Sequence, residues 1–179
     1  MKRTNLLSGF FFLLLVAVPA AGAGAEEKAV IGAVEEVLLL PWGVKLLARV
    51  DTGATTTSLD ARHLKVEENI ATFQLPDRYE GMVIRVPVVS WKEVRSAGGK
   101  EKRPVVEMDL CIGARRIRAR VNLNDRSMVN HSLILGRNVL RRHFVVDVTR
   151  ARVQDPVCPV PRKTEKQTPP APHPLPIPE

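Results

Sequence analysis

Alternating apolar and polar residues mark the middle of the chain and predict short β-strands. Between residues 115 and 123, apolar side chains and arginines take turns along the sequence. The apolar residues are Ile117, Ala119, Val121 and Leu123, and the arginines between them are Arg116, Arg118 and Arg120. Because successive side chains of a strand point to opposite faces, one face of this strand is expected in the core and the other in solvent. A Gly113-Ala114 turn joins it to an apolar strand at 104–112, which completes a hairpin.

Shorter apolar runs on either side predict further strands. One run covers 29–40 with an irregularity at Gly32, and after a turn at Pro41 a second run returns over 44–50. Other strands are expected at 66–75, 82–91, 133–135 and 144–148, with a short helical turn at 58–64 and a helix at 138–143. Many short strands separated by turn residues predict an all-β fold, a small closed β-barrel with one short C-terminal helix.

The two ends of the chain differ in composition from its middle. Lys2 and Arg3 precede an apolar run over 10–18 and then small residues up to Ala25, which is typical of a cleaved signal peptide at 1–25. The run is too short for a membrane span, and an uncleaved anchor is the alternative interpretation. Cleavage would place the protein in the periplasm or outside the cell. The folded domain is then expected at 26–152, and the proline-rich segment 153–179 is expected to be an extended, disordered tail.

Charge and cysteine content add two expectations. The formal net charge of +8 favours acidic partners, whereas an exported protein with few aromatic residues is not expected to bind nucleic acid. Cys111 and Cys158 are the two cysteines, and in an oxidising compartment they are expected to form a disulfide; two unrelated thiols are the alternative. Cys111 shares its strand face with Glu107 and Asp109, so we expect it to point outward and to meet Cys158 at the start of the tail.

One short segment carries candidate chemistry. The strand at 44–50 leads directly into Asp51-Thr52-Gly53-Ala54, so a carboxylate is delivered into a tight turn. A second segment, from Leu133 to Asn138, follows later in the chain. Peptide hydrolysis by carboxylates needs two of them sharing one proton, because two like charges so close cannot both ionise. The chain contains a single Asp-Thr-Gly, so a homodimer with Asp51 from each subunit is expected.

The first segment resembles the active-site loop of aspartic proteases. The second resembles the hydrophobic-hydrophobic-Gly and Gly-Arg-Asn segments of retroviral proteases. Together with 103–106, 121–123 and Asp125-Arg126, these residues resemble the RimB-like, retropepsin-like aspartyl protease family long labelled "ATP-dependent zinc protease" and associated with RimK-type glutamate ligases. The resemblance implies a homodimer of the retropepsin fold with aspartic endopeptidase activity. It also implies a peptide or amino-acid-amide substrate, with glutamate-containing peptides as candidates.

The resemblance further implies roles for individual residues. The catalytic loop would consist of Asp51, Thr52 and Gly53. Substrate would be bound by Ala54, by Thr55, where the family usually has lysine, and by a flap-like tip formed by Ser96, Ala97, Gly98 and Gly99. An ordinary mobile hairpin tip is an equal alternative to the flap. Leu135 and Gly136 would pack beneath the catalytic loop, and Arg137 would join the subunits.

Three interpretations concern cofactors and partners. No phosphate-binding Gly-rich loop occurs and the four histidines lack zinc-ligand spacing, so no metal or cofactor is expected. The arginines at 116, 118 and 120 would steer an acidic substrate or, as we favour, form a solvated sheet face. Besides an exported peptidase, the alternatives are a catalytically silent peptide-binding module and a scaffold of a cell-envelope complex, with a membrane partner and the tail as tether.

Overall fold

The described part of the chain folds into a mostly β domain with one short α-helix and a 3-10 helix at Asp77–Tyr79. The computed structural model describes residues 27–96 and 99–160. The strands are β1 (Ala29–Ile31), β2 (Val34–Leu40), β3 (Val44–Val50), β4 (Thr57–Asp60), β5 (Arg62–Glu67), β6 (Ile70–Gln74), β7 (Val83–Ser96), β8 (Gly99–Ile112), β9 (Arg115–Asn124), β10 (Leu133–Leu135) and β11 (Phe144–Val146). The helix α1 (Arg137–His143) precedes β11 and begins one residue earlier than predicted.

Nine of the described strands belong to one sheet, in the order β2-β3-β10-β4-β9-β8-β7-β6-β5. Strand β2 pairs with β3 along one edge and with β8 along the other, so the pairings from β2 through β8 return to β2. Strands β7, β6 and β5 extend from this circuit as an arm. The predicted hairpin of β2 and β3 is confirmed.

The two-faced hairpin of β8 and β9 is also confirmed. The two strands pair antiparallel from Val105 to Ile112. The four apolar residues of β9 that were assigned to the core are all buried. The arginines on the other face are exposed and pair with carboxylates of β8: Arg116 with Asp109, and Arg118 and Arg120 with Glu107. This pairing supports the favoured interpretation of a solvated sheet face.

The predicted helical turn at 58–64 is wrong, because this segment forms β4 and the start of β5. Strand β4 lies between β10 and β9, parallel to β9 and antiparallel to β10. All four of its residues are buried, although Thr57, Ser58 and Asp60 are polar. A polar sequence in a buried strand lacks the alternation on which a strand prediction depends.

The tail prediction also needs correction. Residues 150–160, called the strap below, run against the domain, so the segment 153–160 is packed rather than free. Cys158 of the strap forms the predicted disulfide with Cys111, with a Cα–Cα distance of 6.0 Å. Cys111 was expected to point outward, yet it is fully buried with Leu38 and Leu40, because the strap covers this face of β8.

Strands β1 and β11 form a separate two-stranded parallel sheet. Several predicted segments lie outside the described residues: the signal peptide at 1–25, the tip residues Ala97 and Gly98, and the tail at 161–179. Within the described ranges, no helix is long and apolar enough to cross a membrane.

Candidate active site

The Asp-Thr-Gly loop is held in place by the strand that lies beside it. Strand β3 ends at Val50, which is aligned with Leu135 of β10 in a parallel pair. The backbone N–H of Asp51 donates to the carbonyl oxygen of Leu135 (N···O 3.0 Å). The loop therefore leaves the sheet at a position set by β10, as the predicted packing of Leu135 beneath it requires.

The Asp51 carboxylate is half-buried and hydrogen-bonded by its own turn. Its Oδ1 accepts hydrogen bonds from the backbone N–H of Gly53 at 2.9 Å and of Ala54 at 3.0 Å. Two N–H donors aimed at one oxygen fix the orientation of the carboxylate. Thr52 and Gly53 are exposed, so the top of the loop is open to another molecule.

Arg137 binds the outer part of the same loop. Its Nη1 donates to the carbonyl oxygens of Thr52 at 3.0 Å and Gly53 at 2.7 Å, and its Nη2 donates to Thr55 Oγ1 at 3.1 Å. Its backbone N–H donates to the carbonyl oxygen of Ala54 at 2.8 Å. In the described chain Arg137 therefore positions its own loop, while its role between subunits stays a prediction.

A network that the sequence analysis did not predict holds the end of the loop. The fully buried Thr57 donates its hydroxyl to Asn138 Oδ1 at 3.0 Å and accepts from the N–H of Gly136 at 3.1 Å. Asn138 Oδ1 also accepts from the N–H of Thr57 at 2.8 Å. A Cβ at Gly136 would lie 2.6 Å from the carbonyl carbon of Thr56, so no larger residue fits there. The adjacent Gly-Arg-Asn triplet was the only sequence signal for this contact.

A cationic pocket of about 550 Å³ lies beside the loop. Its walls come from the loop, β7, β8, β9 and α1. The charged lining residues are Lys92, Arg120, Arg137, Arg141 and Arg142, with Thr55, Thr56, Ser90, Trp91, Val105 and Asn138 completing the wall. Lys92 Nζ donates to Thr56 Oγ1, which connects the β7–β8 hairpin to the loop. None of the described residues that line this pocket is a carboxylate, although Arg120 pairs with Glu107, so the pocket is suited to an anionic group.

Arg126 and His131 of the 125–131 segment share a basic environment with Arg49. Arg126 is half-buried, and burial lowers the pKa of its guanidinium, which Asp60 and Asp51 offset in part. Burial, followed by the positive charges of Arg49, Arg78 and Arg126, lowers the pKa of His131 below its ordinary value. His131 is therefore held neutral in a basic environment.

The predicted site residues are brought together only in part. Asp51 through Thr55 and Leu135 through Arg137 form one continuous site. Ser96 and Gly99 pair across the end of the β7–β8 hairpin. The tip between them falls in the gap of the described residues, so the flap stays a prediction. Within 27–96 and 99–160, no group of three His, Cys, Asp or Glu side chains is placed to hold a metal ion.

Comparison with known proteins agrees with this geometry. The RimB-like family model, described as retropepsin-like aspartic endopeptidase RimB, matches residues 30–157. The chain therefore belongs to the RimB-like family of retropepsin-like aspartic endopeptidases, which confirms the predicted resemblance. No curated protein matches the chain.

Solved structures provide two further comparisons. One is the crystal structure of Lpg0085, a protein of unknown function (DUF785) from Legionella pneumophila subsp. pneumophila str. Philadelphia 1. It is 27% identical, with a TM-score of 0.62, over 71% of this chain and 98% of that chain. The other is the solution structure of simian foamy virus (mac) protease, which is 16% identical over 59% of this chain and 89% of that chain, with a TM-score of 0.37. The second similarity is too low to bear on the fold.

Proposed function

We propose that this protein is an exported aspartic endopeptidase whose active site is a pair of Asp51 carboxylates, one from each subunit of a homodimer. The observation that carries the proposal is the loop itself. Asp51 is oriented by two N–H donors of its own turn, and the turn is clamped by Arg137. A loop with a purely structural role does not require a half-exposed carboxylate that is fixed in one orientation.

The proposed mechanism divides the work between two Asp51 side chains. One carboxylate is ionised and takes a proton from a water molecule as that water attacks the scissile carbonyl carbon. The other carboxyl is protonated and hydrogen-bonds the carbonyl oxygen, which gains negative charge in the tetrahedral intermediate. The proton is then passed to the leaving amine. Gly53 keeps the turn tight enough for two loops to meet.

The homodimer follows from the single Asp-Thr-Gly of the chain. It is supported by a surface suited to a second copy. Among the described strands, β11 pairs only with β1 and has a free edge. Exposed valines accompany this sheet: Val30 is 38% exposed, Val145 52% and Val148 77%. An unpaired strand with exposed apolar side chains is a template for pairing with another chain. The circuit of pairings through β2 supports the closed barrel that a retropepsin subunit requires.

For the substrate we propose a peptide with acidic residues, including glutamate-containing peptides. The support is the cationic pocket beside Thr55 and Thr56, which has five cationic side chains and no carboxylate. Arg141 and Arg142 have no carboxylate partner among the ion pairs of the described residues. Export is supported by the disulfide, because such bonds persist in oxidising compartments.

The test is the substitution Asp51→Asn. Asn has nearly the same shape but cannot ionise, so we expect kcat/KM on acidic peptides to fall by on the order of 10³-fold or more while the fold is retained. Asp109→Asn, whose carboxylate pairs with Arg116 and does not line the loop or the pocket, is the matched control and should keep full activity. Wild-type activity in purified Asp51→Asn protein would refute the mechanism. If the wild type binds acidic peptides and cleaves none, the silent binding module replaces the peptidase.

A further inference from the structure

The strap runs directly against β1 and the turn that follows it. The N–H of Ala33 donates to the carbonyl oxygen of Arg150 at 2.8 Å, and the N–H of Arg152 donates to the carbonyl oxygen of Val34 at 2.7 Å. The side-chain amide of Gln154 donates to the carbonyl oxygen of Val30 at 3.0 Å. The strap is therefore hydrogen-bonded through its backbone to the β1–β2 turn and the start of β2, and through the side chain of Gln154 to β1.

A buried carboxylate ties the strap and the β1–β2 turn together. Glu35 is 0% exposed. Its oxygens accept hydrogen bonds from the N–H groups of Val153 at 3.1 Å and Gln154 at 3.0 Å, and also from that of Gly32. If the strap left, Glu35 would lose two of these donors at a buried position. Strap and turn are thus expected to be ordered or released together.

The far end of the strap is fastened covalently. Cys158 is bonded to Cys111 on β8, and the N–H of Val157 donates to the carbonyl oxygen of Gly113 at 3.0 Å. Glycines occur where the strap makes its closest contacts. A Cβ at Gly32 would lie 2.3 Å from the carbonyl oxygen of Arg150, and one at Gly113 would lie 2.7 Å from the side chain of Gln154. The strap is therefore a fitted part of the domain.

We propose that the Cys111–Cys158 disulfide is a redox-sensitive fastener of the β1–β11 sheet. The strap supports β1, and β1 is the partner of β11 among the described strands. Reduction releases the strap, loosens β1 and weakens the surface on which a second subunit pairs. The last step rests on the proposed homodimer. As a consequence, the protein assembles its active form only after it reaches an oxidising compartment.

The reduction itself is an exchange with a dithiol. A thiolate of the dithiol attacks the sulfur of Cys158, which is only partly buried, and Cys111 leaves as a thiolate and takes up a proton. The second thiol of the reductant then attacks the mixed disulfide and releases Cys158 as a thiol. The protein gains two thiols, and the dithiol is oxidised to its own disulfide.

Hydrogen exchange followed by mass spectrometry tests the proposal on the folded, full chain with and without dithiothreitol. We expect the amides of Ala33, Arg152, Val153 and Gln154, and those of Phe144–Val146, to exchange faster after reduction, on the order of tenfold or more. The amides of β9 serve as internal reference and should not change. In a Cys111→Ala/Cys158→Ala double variant, these amides should exchange at the rates of the reduced protein. Dithiothreitol should not change the rates.

Two results would overturn the proposal. Unchanged exchange in β1, β11 and the strap after complete reduction would overturn it. Faster exchange throughout β9 and the core would overturn it too, because the bond would then support the domain as a whole. Gln154→Ala, which keeps the disulfide, should loosen β1 in the same direction and serves as a second variant in case the double variant does not fold.

Sedimentation equilibrium separates this inference from the proposed function. We expect the dimer dissociation constant to rise on the order of tenfold on reduction. Local loosening with an unchanged dissociation constant would overturn the link to the dimer. If the dimer depends on the redox state but cleaves no peptide, the proposed peptidase activity is refuted, whereas the proposed role of the Cys111–Cys158 disulfide is not.

Discussion

Arg137 connects three parts of the Asp-Thr-Gly loop through one planar side chain. Its guanidinium reaches the carbonyl oxygens of Thr52 and Gly53 and the hydroxyl of Thr55. The fork of N–H groups allows these contacts to be made at once, which a single ammonium group on a flexible stem cannot reproduce. Arg137 therefore positions the loop, and in the proposed mechanism it would act on catalysis only through the loop.

We predict that Arg137→Lys lowers kcat far more than it lowers stability. Loss of part of the clamp lets the loop move, and small misplacements of a reacting group cost on the order of 10–100-fold in rate. The free energy of unfolding should fall by only about 1–2 kcal/mol, since the hydrogen bonds are few and partly exposed. Steady-state kinetics and urea denaturation measure the two effects.

Arg118→Lys is the control for this substitution, because Arg118 lies on the solvated face of β9 and pairs with Glu107. It should leave both quantities unchanged. If kcat of Arg137→Lys equals that of the wild type, the clamp is not needed for positioning. If the loss in kcat is no larger than the loss in folded protein accounts for, the role of Arg137 is structural only.

At the residue scale, the sequence was sufficient to identify the Asp-Thr-Gly loop. It was not sufficient to predict the hydrogen bonds that hold the end of the loop. Asp51, Gly53 and Arg137 stand in recognisable short segments. The contact of Thr57 with Asn138 joins residues far apart in the sequence, and neither is apolar, so no hydrophobic pattern marks it. The strand parity of Cys111 was predicted correctly, but its burial depends on the strap, which composition alone assigned to a mobile tail.

At the scale of elements, helix α1 presents cations to the pocket beside the loop. Arg141 and Arg142 lie in its last turn and line that pocket. Cations at a helix C-terminus also interact favourably with the helix dipole, which is worth about 0.3–1 kcal/mol. A structural role alone would thus produce a small loss of stability and no change in substrate preference.

We predict that Arg141→Gln/Arg142→Gln raises KM for acidic peptides by on the order of tenfold and leaves kcat nearly unchanged. The reason is that, in the proposed function, the two side chains bind the substrate away from the reacting bond. Kinetics with an acidic peptide and with its neutral glutamine analogue measure the preference. The matched control is Arg116→Gln/Arg118→Gln, whose arginines are already paired with carboxylates. An equal change in KM for both peptides would contradict the prediction.

The elements themselves were predictable where burial alternates along a strand. Hairpin β8–β9 has apolar residues on one face and charged pairs on the other, and both faces were expected from the sequence. Strand β4 was not expected, because Thr57, Ser58 and Asp60 are polar and yet buried between two strands. The side chains of Thr57 and Asp60 are hydrogen-bonded, whereas Ser58 Oγ has no hydrogen-bond partner among the described residues. Asp60, for example, binds Arg62 through both of its oxygens.

At the scale of the whole molecule, membership of the family and the single Asp-Thr-Gly point to the same requirement. One subunit holds one oriented carboxylate, and hydrolysis through a shared proton needs two. In the proposed homodimer, the second subunit pairs with the edge of β11 that is free among the described strands, beside the exposed valines. The central claim is therefore that neither subunit is active alone.

Subunit mixing measures this claim directly. Wild-type protein is equilibrated with Asp51→Asn protein at constant total concentration, and peptidase activity is followed as the wild-type fraction falls. Mixed dimers lack one of the two acidic side chains, so activity should fall as the square of the wild-type fraction, to about a quarter in an equal mixture. Mixing with Lys65→Gln, an exposed substitution on β5, should leave activity unchanged. A linear decline, with about half of the activity left in an equal mixture, would show that each chain works alone and would contradict the shared dyad.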